Sequence, residues 1–328
     1  MKFLFFGTPE FAAIVLEKLI NAGYIPEAVI CNPDEPVGRK QILTSPPVKR
    51  LIANGKQLMA NSGQLIEIFQ PANKTDLSAI SDKLSTIKPD LAIIAAYGKI
   101  IPKEILDIPR FGILNIHGSL LPAYRGASPI QYAILNGDKE TGVTIMKIDE
   151  EMDHGPVLAN SKLLIADSDT CESLSKKLAD LGVELLIKVI PDYISEKIKP
   201  VEQDHSKATY TKIIKKEDGK IDWLKSAQEI ERMTRAFYPW PSAYANIKNQ
   251  KSKIKNKILK IIEVEIILQY SDVLKYSPGK VFLKNSELAV KCGKGVLVVK
   301  KLQLEGGKVL TAKEFLNGHK DFIGSILE

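Results

Sequence analysis

Asn115 and His117 stand two residues apart at the head of the run NIHGSLLPAYRGASPI, Asn115–Ile130. Positions two apart on a strand face the same side, so an amide and an imidazole are expected to share one space. The sequel holds Gly118, Ser119, two prolines and a lone Arg125, which suits a turn-rich loop better than a helix or a strand. A turn-capping Asn and a His satisfied by backbone would be the bland alternative; the strand-end position and the turn-rich sequel favour a working pair instead. Carboxylate partners are available in KIDEEMDHGPVL, Lys147–Leu158, at Asp149, Glu150, Glu151 and Asp153, with Gly155 able to serve a tight turn. One of the four can orient or charge the histidine, as the third member of a catalytic constellation does. The others read as solvated loop charges, and His154 reads as a solvent-facing or structural loop residue.

Other chemistries lack their signatures. FGTPEF, Phe6–Phe11, has one glycine and is no G-x-G-x-x-G fingerprint, so dinucleotide binding is not indicated. The P-loop pattern and the G-x-S-x-G elbow are missing too, so neither an ATP site nor a serine nucleophile is announced. Cys31, Cys171 and Cys292 lie far apart, show no metal spacing and make an odd count, which argues against a disulfide framework and for a reducing cytoplasm. No apolar run reaches the roughly 18 residues that a membrane helix needs. MKFLFFG is followed at once by Thr8, Pro9 and Glu10, so it reads as a buried first strand and a turn rather than a secretion signal.

The elements that must position these residues alternate in the first half of the chain. Strands are expected at Lys2–Phe6, Glu27–Cys31, Leu91–Ala96, Gly112–Ile116 and Val143–Ile148. LAIIAA is apolar enough to be covered on both faces. Phe11, Ile14, Val15, Leu19 and Ile20 make a helical stripe over Phe11–Ala22. Ser128 and Pro129 offer a cap and first-turn pair for a helix over Pro129–Asn136, and Ser173–Ile190 is a long helix. This alternation predicts an α/β class: a Rossmann-like, mainly parallel sheet with crossover helices. Asn115 and His117 then sit at the C-terminal end of a strand, where open α/β sheets bind ligands.

Pro200–Lys216 has few large apolar residues and reads as a linker. Beyond it come a short helix, Ala227–Phe237, and β-type runs at Ile258–Leu268, Lys280–Leu283, Leu288–Cys292 and Gly295–Leu304, which predict a small OB-like β-barrel. The expected domains are 1–200 for catalysis, 201–215 as linker and 216–328 as barrel. The net charge of +7 is uneven: residues 208–328 hold 23 Lys/Arg against 13 Asp/Glu, and the remainder is slightly acidic. Such a basic module fits a polyanion such as nucleic acid, although lysine-rich surfaces also serve solubility. KNQKSKIKNKILK, Lys248–Lys260, carries six lysines and no acid, and is either a phosphate-contacting segment or a solvated loop.

The runs FGTPEF, PDEPVGRK, AAYGKIIP, NIHGSLLPAYRGASPIQ and MDHGP, in this order, resemble the formyltransferase family that uses 10-formyltetrahydrofolate. The later runs TYTKIIKKEDGKIDW, RAFYPWPSAY and LQLEGGK resemble its branch acting on charged tRNA. The resemblance implies transfer of a formyl group from 10-formyltetrahydrofolate to the α-amino group of methionine on initiator tRNA, with no metal. It places the catalytic roles on Asn115, His117 and Asp153, the first two donating to the oxyanion that forms as the amine attacks the formyl carbon and the third holding His117 and helping to remove the proton. The folate contacts fall on Ser119, Leu120, Leu121 and Pro122, with Ala96 and Tyr97 lining the other side. It gives the tRNA contacts to Arg39 and Lys40 in the loop Pro33–Pro47, expected to be mobile and exposed. Lys248, Lys251, Lys253 and Lys255 are the candidates in the basic module. Tetrahydrofolate and initiator tRNA are the implied partners of a monomer with no membrane partner. Glu151 and His154 depart from the family's small residues beside Asp153, and Ala53–Leu65 looks longer than usual. The rival readings are a formyl-folate enzyme with a small acceptor (a glycinamide ribonucleotide or an amino sugar) or a formyl-folate hydrolase, and a tRNA-binding module whose enzyme domain has decayed.

Overall fold

The structure, a computed structural model, describes residues 1–38, 41–54, 66–249, 254, 256–267 and 275–328. The chain forms two compact units. The first comprises Met1–Pro129, Glu140–Leu164 and Ser175–Lys212. Its strands are β1 (Phe3–Gly7), β2 (Ala28–Ile30), β3 (Glu35–Val37), β4 (Ile42–Thr44), β5 (Glu67–Phe69), β6 (Leu91–Ala95), β7 (Ile113–His117), β8 (Arg125–Gly126), β9 (Glu140–Lys147), β10 (Val157–Leu164) and β11 (Tyr210–Thr211). Seven of them build one sheet in the order β10-β9-β7-β6-β1-β2-β5. From β7 to β5 all neighbours are parallel, whereas β9 runs antiparallel to β7 and β10 antiparallel to β9. The mainly parallel sheet expected from the strand–helix alternation is therefore present. Its two-strand antiparallel edge departs from that expectation: VLANSKLL in β10 has polar residues at Asn160, Ser161 and Lys162, as an exposed edge strand allows.

The chain lays β2 and β5 on one side of β1 and then returns to place β6 and β7 on the other. That reversal opens a crevice beyond the carboxyl ends of the strands. Two apolar layers hold the sheet. Phe3, Phe5, Leu91 and Ile93 join the helices Glu10–Asn21 and Cys171–Ile194 in one layer. Leu4, Phe6, Ala92 and Ile94 join Leu77, Leu84 and Ile105 in the other. Successive strand residues thus enter opposite layers, as the period of two requires. Each large side chain buried this way stabilises the fold by about 1.5–3 kcal/mol. Gly182 on the long helix faces Ile116, the residue between Asn115 and His117; a Cβ there would lie 2.5 Å from Ile116 Cγ2. This close approach backs β7 firmly at the point where it presents its polar pair.

The second unit comprises Ile130–Lys139, Ile165–Leu174 and Ile213–Glu328. Its strands are β12 (Ala243–Lys248), β13 (Ile258–Ile267), β14 (Val281–Lys284), β15 (Glu287–Lys291), β16 (Val296–Leu304), β17 (Val309–Thr311) and β18 (Ile326–Leu327). They run in the antiparallel order β14-β15-β16-β13-β12-β18, with β17 on β16. A bridge between Lys280 and Ile326, with Val281 N–H donating to Ser325 O at 2.9 Å, brings the two ends of the sheet together. The result is a nearly closed barrel, as its closely spaced β-type runs suggested. The helix Ala227–Ala236 starts on a reciprocal cap: Ser226 accepts from Glu229 N–H, and Glu229 accepts from Ser226 N–H. Among the described residues no helix is long and apolar enough to cross a membrane.

Candidate active site

β7 ends in Asn115, Ile116 and His117, and both polar side chains are buried, at 8% and 5% exposure. Asp153 reaches them from the turn after β9. Its Oδ1 lies 3.5 Å from Asn115 Nδ2 and 3.6 Å from His117 Nδ1, while its Oδ2 accepts a 2.7 Å bond from Gly126 N–H. Both contacts are longer than a tight charge-assisted hydrogen bond, so it is the Gly126 bond that fixes the carboxylate. Residue types alone left four carboxylates in play and the family resemblance pointed to Asp153; Asp153 is the one that lies beside Asn115 and His117. His154 takes the opposite course: its Nδ1 meets Asp149 Oδ2 at 2.7 Å, and its ring stacks flat on His205 at 4.0 Å. It is a structural residue of the turn, in line with the sequence reading.

The orientation of His117 is constrained. Nε2 lies 3.0 Å from the carbonyl of Tyr124, which can only accept, so Nε2 carries the proton of that bond. Only Nδ1 remains to work, and it faces Asp153. The expectation that His117 donates to an oxyanion therefore applies to Nδ1 alone, once that nitrogen holds a proton.

The loop Ser119–Pro122 is braced from within. Ser119 Oγ donates to Ala123 O at 2.5 Å. Thr144 Oγ1 on β9 donates to Ser119 O at 2.7 Å and accepts from Leu121 N–H at 3.1 Å. These bonds tie the loop to β9, and the Leu120 side chain packs over Gly142 of that strand. Ala96 and Tyr97 follow β6, the neighbour of β7. Ala96 is exposed, at φ +47°. Tyr97 is buried edge-on against Phe6, and burial raises its phenol well above the ordinary value, so it stays neutral.

Within Pro33–Pro47, residues 35–38 and 41–43 are exposed while Pro46 is buried, and the described part is no formless loop. β3 and β4 pair as a hairpin with Val37, Ile42 and Leu43 turned outward at 56%, 61% and 67% exposure. Arg39 and Lys40 lie outside the described residues. Asp34 anchors the root of the hairpin, accepting from Lys49 Nζ at 2.8 Å, Gln70 Nε2 at 2.9 Å and Ser45 Oγ at 2.8 Å. The hydrogen bond from Lys49, then those from Gln70 and Ser45, hold its carboxyl down to about 2 from an ordinary 3.8. A depressed carboxylate adds stability that is present above its unfolded value and lost as pH falls through the folded one. The stability gap between the parent protein and Asp34→Asn is accordingly expected to shrink as pH falls from about 4 to about 2. Urea unfolding at each pH measures it, and a gap that stays constant would refute the linkage.

Several site residues gave no sequence signal. Gln203, His205, Thr209 and Thr211 lie in the stretch read as a linker, yet β11 pairs with β8 there, and Thr209 Oγ1 accepts from Tyr124 N–H at 2.8 Å. Arg125, the lone arginine of its loop, has no role that the sequence alone assigns. It is 2% exposed and donates to Gln203 Oε1 at 2.7 Å and to His205 Nδ1 at 2.8 Å. In the second unit, Lys248 is exposed and its Nζ lies 2.7 Å from Glu328 Oε1. Lys251, Lys253 and Lys255 lie outside the described residues, as do residues 55–65 of the stretch that looked longer than usual.

Comparison with known proteins agrees with this architecture. Residues 1–190 match the formyl transferase family model and residues 213–320 the formyl transferase C-terminal domain. The methionyl-tRNA formyltransferase of Thermodesulfovibrio yellowstonii is 41% identical over 97% of this chain and 96% of its own. That of Caldicellulosiruptor saccharolyticus is 41% identical over the whole of both. Among solved structures, HypX from Aquifex aeolicus in complex with tetrahydrofolic acid shares the fold with a TM-score of 0.63 at 17% identity; the match covers 96% of this chain and 47% of HypX, so the chain spans about half of that protein. The sugar 3N-formyl transferase WlaRD shares it with a TM-score of 0.61 at 20% identity, over 91% of this chain and 97% of WlaRD. With an amide, an imidazole and a carboxylate gathered at the sheet's mouth and both domain matches in order, the chain belongs to the methionyl-tRNA formyltransferase family.

Proposed function

We propose that this enzyme transfers a formyl group from 10-formyltetrahydrofolate to the α-amino group of methionine on initiator tRNA, in the cytoplasm. One observation carries the reading: Asn115, His117 and Asp153 converge at the mouth of the sheet in a chain about 40% identical, over its full length, to methionyl-tRNA formyltransferases. The amine attacks the formyl carbon, a new C–N bond forms, and the carbonyl oxygen becomes an oxyanion. Asn115 Nδ2 donates to that oxygen. Because His117 Nε2 is committed to Tyr124, the Nδ1–Asp153 pair takes up the proton that the amine loses. A protonated Nδ1 can then donate to the oxyanion. The C–N10 bond breaks as the intermediate collapses, and the same proton passes to N10. This scheme calls on no metal. Leu120, Leu121 and Pro122, with Ser119 holding their loop, form one wall for the folate, and Ala96 and Tyr97 the other.

Arg39 and Lys40, which fall between β3 and β4 in the sequence, and the lysines at 248, 251, 253 and 255 supply the tRNA surface. Ion pairs as exposed as Lys248–Glu328 are worth little, so a phosphate can replace the glutamate. Changing these four lysines to glutamine is expected to flatten the salt dependence of tRNA affinity, by about 0.9 in log–log slope for each phosphate no longer neutralised. Filter binding across a salt series measures it, and an unaltered slope would remove the segment from the tRNA surface.

The decisive assay mixes the protein and 10-formyltetrahydrofolate with charged initiator tRNA, charged elongator tRNA or an amino sugar. Formylation of the initiator tRNA is expected. Transfer only to the amino sugar would install the small-acceptor reading, and binding of tRNA without transfer the decayed-enzyme reading.

A further inference from the structure

We propose that Gln203, clamped by Arg125, is a positioning residue that aims the Asp153 carboxylate at Asn115 and His117. This rests on the functional reading above. Asp153 has φ +52°, the left-handed region, which costs a residue with a side chain on the order of 1 kcal/mol and persists only where the surroundings impose it. The surroundings here are two. Gly126 N–H holds Oδ2 at 2.7 Å, so that Oδ1 is the oxygen turned toward the amide and the imidazole. Gln203 Nε2 holds the backbone, donating to Asp153 O at 2.9 Å and to Gly155 O at 2.7 Å. Both amide protons are thereby spent on the two carbonyls that define the turn.

The amide cannot flip. Its Oε1 accepts from Arg125 Nε at 3.2 Å and from Nη2 at 2.7 Å. A reversed amide would set NH2 against a guanidinium and an oxygen against two carbonyls, leaving buried groups unpaired. Arg125 is fixed in turn by His205 Nδ1 and by the Tyr210 hydroxyl at 3.4 Å. Arg125 and Gly126 are also adjacent on β8, so one strand anchors the carboxylate through Gly126 and the turn backbone through the guanidinium and Gln203.

Gln203→Glu separates this role from bulk packing. The carboxylate still accepts from Arg125, but it has no N–H for the two carbonyls and repels them. Misplacing a catalytic group by about 1 Å can cost on the order of 100-fold. Turnover is therefore expected to fall about 10- to 100-fold, with KM for both substrates within about threefold, and with circular dichroism showing an intact fold. In an Asp153→Ala background the same change should cost no more than about threefold further, because the group being aimed is gone. Losses that multiply in full across the two backgrounds, a loss carried by KM, or turnover at the parent rate would each overturn the proposal. A second readout needs no turnover. The chain has four histidines, and the ring signals of His117 in Gln203→Glu are expected to move toward their positions in Asp153→Ala. A parent protein that moves no formyl group defeats the functional reading, and these signals then decide the positioning role by themselves; unmoved signals overturn it.

Discussion

His117→Ala is expected to lower the rate of formyl transfer by about 100- to 1,000-fold while leaving tRNA affinity within about twofold. In the proposed scheme the removed ring does two jobs through Nδ1: it takes up the proton with Asp153, and once protonated it can donate to the oxyanion. Loss of one aimed donor costs on the order of 10²–10³ in turnover, roughly 2.7–4 kcal/mol, and loss of a positioned proton carrier costs a similar factor. The effects overlap because one nitrogen serves both, so they do not multiply. Binding is spared because His117 is 5% exposed and lies at the strand end, and it is not among the candidate tRNA contacts. Single-turnover transfer with the variant in excess, alongside filter binding of charged tRNA, measures both quantities. Transfer at the parent rate would remove His117 from the mechanism, and with it the reason for the adjoining carboxylate.

Gly155→Ala is expected to cost about 100-fold in turnover and about 1–3 kcal/mol in stability. A Cβ at this position would lie 2.1 Å from the backbone carbonyl oxygen of Lys147 and 3.3 Å from Asp149 N. Neither is the end of a flexible side chain, so the turn itself must move, and overpacking of this kind typically costs about 1–3 kcal/mol. The turn is closed at its base by Lys147 N–H donating to Pro156 O at 2.9 Å, which denies it an easy way to relax. Its displacement carries Asp153 away from His117 and pulls Gly155 O off Gln203. Urea unfolding and single-turnover transfer, run on the same preparation, give the two effects. Stability and turnover both within error of the parent would show that the turn yields without disturbing its carboxylate.

Much of the scaffold was legible because its cause is local. FLFF and LAIIA are apolar on every residue, and runs this short bounded by turn residues suit strands covered on both faces. Ser128–Pro129 marked the helix Pro129–Asn136, whose bounds are those of the finished structure. β10 escaped notice because an edge strand needs only one apolar face, and polar residues in it weaken the strand signal. The paired hairpin of β3 and β4 was hidden by Pro36 and Gly38, which read as loop markers whether or not a ladder forms around them.

The site divides along the same line. Asn115 and His117 could be found because their spacing of two on an expected strand sends both side chains to one side, a consequence of backbone geometry alone. By residue type Asp153 stood among four neighbouring carboxylates, and only the family resemblance singled it out, since its meeting with Gly126 N–H lies across the fold. Gln203, fifty residues further on, carries no local mark at all. Its role exists because the return of the chain beside β8 stacks a guanidinium, an amide and a strained turn in one line. Residue spacing determines which side chains share a face; which distant partner completes their hydrogen bonds is decided by how the chain packs back on itself, because a buried polar group must find its partner wherever tertiary contact supplies one.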